Sequence, residues 1–175
     1  MKLPRFAGRT ASLFSAAALL LLLALAPGHA NAQSALAEDN GFMGYMLGQP
    51  SDSMDGIVRR GKSQRLIWFA PEEKNLTFEG MPLKSVRLYF WKGKLHSIEI
   101  KTSGTNSDRF KEWLENRYGK GAKEDAMGFR FSWEAPRIRV LFEQNIISHD
   151  ALTTYIDDEV HEAYYRFMHR LKYGD

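Results

Sequence analysis

Histidines and carboxylates crowd the last third of the chain. His149, His161 and His169 lie near Asp150, Asp157, Asp158 and Glu162. His161 and His169 are eight residues apart, two turns along roughly one helix face, with Tyr165 between them. Imidazole and carboxylate are metal ligands, but a metal site draws ligands from within one turn or from elements the fold brings together. His161 and His169 are therefore a weak metal pair, and an acidic helix surface explains the same residues. Carboxylate pairs are the second chemistry on offer. Glu99, Glu112, Glu115, Glu134 and Glu143 could supply the acid and base of a hydrolase, which needs two at a set separation with one pKa raised. Spacing singles out no pair, and no Ser sits in a nucleophile-elbow pattern. No catalytic residue is assigned, and no cofactor is expected.

Binding chemistry has a clearer address. Arg87, Tyr89 and Trp91 alternate with Val86, Leu88 and Phe90, so they share the outer face of one strand. Lys92 and Lys94 follow at its end, with Leu95, Glu99 and Lys101 beside it. Aromatics beside Arg bury much area at modest entropy cost and stack on flat ligands. Arg87, Tyr89, Trp91, Lys92 and Lys94 are the candidate binding surface. The alternative is that the C-terminal helix covers this face and gives Tyr89 and Trp91 an ordinary core role. A second basic cluster, Arg59, Arg60, Lys62 and Arg65 around Gly61, reads either as a solvated loop or as an anion or lipid-headgroup contact. His96 reads as a satisfied histidine at the edge of an apolar strand face.

The elements that must hold these residues follow from periodicity. Residues 83–118 read as strand, turn, strand, loop and amphipathic helix. A three-residue loop, Trp91-Lys92-Gly93, sets Leu88 opposite His96 and Val86 opposite Ile98, which puts both apolar sets on one face. A two-residue Lys92-Gly93 loop sets them on opposite faces. The helix presents Phe110, Trp113, Leu114 and Tyr118, with Thr105 or Asn106 as cap and Gly119 and Gly121 at its end. A second hairpin pairs Phe129, Phe131 and Trp133 with Ile138, Val140 and Phe142. A strand at 151–156 precedes a final helix carrying Val160, Tyr164, Phe167, Met168 and Leu171, capped by Asp157 or Asp158. The order predicts an α+β fold, a mostly antiparallel sheet of hairpins with two amphipathic helices packed on it in two layers. Hairpin then helix occurs twice, too loosely to indicate duplication.

The N-terminus carries an address. Lys2, Arg5 and Arg9 precede an apolar run from Ala11 to Ala26, Pro27 and Gly28 break it, and Ala30-Asn31-Ala32 is an A-x-A site. This is the order of a secretory signal peptide over 1–32, with cleavage between Ala32 and Gln33. A retained membrane anchor is the alternative, and the run is short for a span. Residues 33–40 read as a flexible lead-in and 41–175 as one domain. The three leader cations account for the formal charge of +3, so the mature chain has 21 basic and 21 acidic residues. A nucleic-acid partner loses its motive with that charge. The chain has no Cys. Thiol catalysis and Cys-ligated metals are excluded, and an exported chain without disulfides must stand on packing. That composition favours the periplasm, with no transmembrane segment in the mature chain and an envelope protein or small ligand as partner.

Phe78-Glu79-Gly80-Met81-Pro82-Leu83, then Lys92-Gly93-Lys94-Leu95, then Tyr118-Gly119-Lys120 run in order with a Gly-rich opening at 41–48 and a late Trp133. Over residues 42–156 this resembles small uncharacterised exported proteins of Gram-negative bacteria. The shared motifs are turns, caps and core positions, and the resemblance brings no catalytic residue with it. The sequence thus predicts a periplasmic binding or accessory protein acting through the aromatic and basic sheet face. The alternative is a cell-envelope hydrolase. A deep pocket of convergent carboxylates or histidines would mark the enzyme, and a shallow patch or open sheet edge the binder.

Overall fold

A computed structural model describes residues 34–174, so the expected leader and its cleavage site lie outside the described residues. Two short pairs open the chain, β1 (Gly41–Phe42) with β2 (Tyr45–Met46) and, further on, β5 (Thr77–Phe78) with β6 (Met81–Pro82). The other strands are β3 (Ile57–Ser63), β4 (Leu66–Pro71), β7 (Ser85–Trp91), β8 (Lys94–Thr102), β9 (Ala122–Lys123), β10 (Arg130–Ala135), β11 (Ile138–Gln144) and β12 (Ala151–Asp157). They form one antiparallel sheet in the order β3-β4-β7-β8-β12-β11-β10-β9. Helix α1 (Thr105–Tyr118) follows β8 and helix α2 (Asp158–Tyr173) follows β12. The fold is α+β, a mostly antiparallel sheet with two helices packed on it, one against each face, so the layers are three where two were expected.

Period-two patterning decides which face is buried. Val86, Leu88 and Phe90 of β7 pair with Ile100, Ile98 and Leu95 of β8, and all six are buried. Tyr155, Val140 and Phe142 extend this face across β12 and β11. Helix α1 covers it with Phe110, Leu114 and Tyr118. Phe42 and Phe78, from the short pairs, pack against Phe110 and Trp113. Helix α2 crosses the other face near the β7–β8 turn, with Trp91 and His96 beneath it.

The hairpin differs from expectation in an instructive way. Trp91 pairs with Lys94, so the loop is the two residues Lys92 and Gly93, not three. Both have positive φ, 49° and 80°, as a type I′ turn requires. The apolar sets still share a face, because the register shifts between Tyr89 and Phe90. Tyr89 pairs with Ser97 and Phe90 with Leu95, which leaves His96 as the extra residue of a β-bulge. Leu88 therefore lies opposite Ile98, not His96. The bulge also moves His96 off the apolar face to the side where α2 lies.

Two further expectations are corrected. Neither Thr105 nor Asn106 caps α1: the cap position is Gly104, at φ 54°, and no side chain bonds there. Residues 34–39 are not a loose lead-in but a helical turn with Leu36 buried. Asp39 ties that turn down, accepting two bonds from the Arg117 guanidinium (2.9 and 2.6 Å) and one from the Tyr118 hydroxyl (2.9 Å). The cap of α2 is as expected, with Asp157 accepting from the Val160 amide at 3.0 Å.

Candidate functional site

The groove between the β7–β8 turn and α2 gathers the residues best suited to binding. Its base is Trp91, half-buried against Tyr164 and Phe167 at ring-centroid distances of 6.1 and 6.0 Å. Lys92 stands over it. The left-handed turn carries Lys92 Nζ to 4.6 Å from the Trp91 ring centre and 5.6 Å from that of Phe167. A type I′ turn prefers Asn or Asp at this position, so a lysine here is held at some strain. The turn itself is braced: the Gly48 amide donates to the Leu95 carbonyl (2.8 Å), and the Ser51 amide to the Gly93 carbonyl (3.0 Å). The groove has a volume of about 650 Å³, lined by Trp91 and Lys92 on one side and Tyr165, Arg166, Phe167 and Arg170 among others on the other.

Charge is concentrated at this end. Arg59, Arg60 and Lys62 lie on the edge strand β3, Arg65 in the β3–β4 turn, Lys92 and Lys94 at the hairpin, and Arg166, Arg170 and Lys172 on α2. The Arg65 guanidinium sits 5.9 Å from the Phe167 ring centre, and the Tyr164 hydroxyl donates to the Gln64 carbonyl at 2.9 Å, so the turn and helix are in contact. All nine cations are exposed. None takes part in the ion pairs found among the described residues. Residues 57–70, 91–98 and 163–174 contain no Asp or Glu. The cluster at 59–65, open between loop and contact on sequence, is an edge strand and turn, not a loop.

The expected surface is only partly assembled. Trp91 and Lys92 line the groove, and Lys94 is exposed beside it. Arg87 and Tyr89 share the face but are occupied elsewhere. Arg87 lies 5.2 Å from the Trp68 ring centre, and the Tyr89 hydroxyl donates to Glu99 at 3.0 Å. The reading in which α2 covers this face holds at Trp91. Phe167, Arg166 and Arg170 were missed as site residues, since only tertiary placement brings α2 over the turn.

His161 and His169 are not brought together. His169 packs on Tyr173, at 4.8 Å between ring centres. His161 faces the bulged His96, with Nδ1 3.1 Å from His96 Nε2, and His96 Nδ1 bonds the Ser97 hydroxyl at 2.9 Å. Burial chiefly, and then the neighbouring His161, pushes the His96 pKa down to about 4. Burial also lowers His161, aided by Arg139 and opposed by Asp158 and Glu162. The pair is neutral at pH 7 and stitches α2 to the sheet. A Ser–His–His row suggests a nucleophile, but Ser97 and His96 are both buried and line none of the clefts at the groove, beside Lys84 and Asp150, or at the end of α2. Among the described residues no three His, Cys, Asp or Glu are placed to hold a metal ion. No family model, curated protein or solved structure matches the chain.

Proposed function

We propose that this is a periplasmic binding or accessory protein that captures an anionic partner or ligand in the groove between the β7–β8 turn and α2. The observation that carries the reading is Lys92. A lysine occupies a left-handed turn position that suits it poorly, and its ammonium is held over two aromatic rings at the mouth of a groove rimmed by unpaired cations. The left-handed turn holds that ammonium at the groove mouth, where it meets a bound anion. Aromatic floor and cationic rim together take a negatively charged group attached to an apolar or planar body. The periplasmic setting rests on the leader-like residues 1–32 and on the resemblance to small exported proteins.

A photo-crosslinking residue placed at position 166 in producing cells tests this. A discrete envelope adduct should form, and Lys92→Asn should diminish it at least several-fold while the chain stays folded. A protein that gives no adduct, or one indifferent to Lys92, contradicts the reading.

A further inference from the structure

We infer that this basic end docks on an anionic lipid surface, with the C-terminal half of α2 lying in the headgroup layer. The inference rests on the proposed working surface and names what it meets. Three observations carry it. First, the apolar stripe of α2 outruns the sheet beneath it. Val160, Tyr164, Phe167 and Leu171 recur at helical spacing on one side. Exposure along that stripe rises from 7% at Val160 to 52% at Leu171. Tyr165, at mid-helix, and Tyr173, at its end, are 64% and 65% exposed and add aromatic surface off that stripe. Leu171 is only half-covered, in a cleft it shares with Arg65 and Met168, and its open half can take another apolar surface.

Second, cations flank that overhang well beyond the groove: Lys92, Arg166 and Arg170 line it, and the other six lie outside it. A single bound phosphate is held by a few donors aimed at one point, whereas the nine unpaired cations are spread over an edge strand, two turns and the helix. Such a spread suits a surface with many anionic groups side by side. It also argues against a second copy of this chain, whose like charges would meet. Third, no described helix is long and apolar enough to cross a membrane, so α2 would lie on the surface rather than span it. Tyrosine, with an apolar ring and polar tip, suits that depth.

Co-sedimentation of protein recovered from the periplasm of producing cells tests this. One set of vesicles contains phosphatidylglycerol and phosphatidylethanolamine, and the other phosphatidylcholine alone. Binding should appear only with the first set. It should fall at least tenfold when salt is raised to about 0.5 M, where the Debye length is ~4 Å. The triple variant R166E/R170E/K172E should lose binding at least tenfold, and Leu171→Ser several-fold. All four positions are exposed, and unchanged circular dichroism and melting confirm the fold. Equal binding to phosphatidylcholine, no binding to either set, or indifference to the charge reversals overturns the inference. So does displacement by single-stranded DNA or by an acidic protein at equal charge concentration, which would mark a general polyanion site. If vesicles fail while the adduct at position 166 still depends on Lys92, the lipid inference falls and the proposed function stands.

Discussion

Lys92 shows how one residue separates stability from function. Its φ of 49° lies in the region that costs an L-residue roughly 1 kcal/mol and that Asn tolerates best. Lys92→Asn relieves that strain but loses the cation–π contacts with Trp91 and Phe167, so stability in urea melts should change by less than ~1 kcal/mol while capture weakens. Gly93→Ala, at φ 80°, should lower stability by about 1 kcal/mol. Trp91 is half-buried on Tyr164 and Phe167. Trp91→Ala should cost about 1–3 kcal/mol, short of the 3–5 kcal/mol of a fully buried aromatic. A different residue pair explains why a Tyr-Gly helix end and a late Trp belong together. The Trp133 indole donates to the Gly119 carbonyl at 2.7 Å, and a Cβ on Gly121 would meet that ring at 2.8 Å. Trp133 is buried and hydrogen-bonded, so it has no room to give. Gly121→Ala should destabilise by about 1–3 kcal/mol, read from the same melts.

At the scale of elements, alternation along β7 and β8 makes both strands and their shared face legible. The loop length is not legible, because parity hides it. A three-residue loop without a bulge and a two-residue loop with one both return the apolar set to the same side. No residue type marks the bulge at His96, and its role shows only when α2 lies over it. Asp157 could be read as a cap from its place before a periodic run, whereas α1 starts at Gly104 with no capping side chain to read. The bulge has a consequence in solution. His96 is held neutral, its pKa depressed from 6.5 to about 4. The folded state thus binds fewer protons than the unfolded state between those values. Its contribution is complete above about pH 6.5 and is lost as pH falls toward 4. Arg139, on β11, reinforces the loss by disfavouring a charged His161, while Asp157, Asp158 and Glu162 moderate it. Hydrogen exchange of α2 amides should speed up across that window, and His96→Phe should flatten the dependence. Exchange that does not change with pH beyond the intrinsic rate would contradict the latch.

At the scale of the molecule, two four-strand meanders each end in a helix and meet at the β8–β12 pair. The looseness of the repeat in sequence has a physical basis, since α1 and α2 cover opposite faces and so carry different residues. Residues 33–175 are formally neutral, yet nine of their unpaired cations gather at one end. Composition reports the sum and hides the separation, which is why a charged partner looks unmotivated on sequence and plausible in three dimensions. Trp91 and Lys92 were legible as site residues from local pattern. Arg65, Arg166, Phe167 and Arg170 were not, because they join the site through contacts among turn, helix and hairpin far apart in the chain. The central claim is that this end is where the protein works. An amide spectrum of labelled protein, recorded as envelope extract is added, tests it residue by residue. Signals from 65, 91–94 and 163–173 should shift or broaden first, and less so in Lys92→Asn. Changes confined to the opposite end, around the exposed Met127, Ile146 and Ile147, would contradict the account.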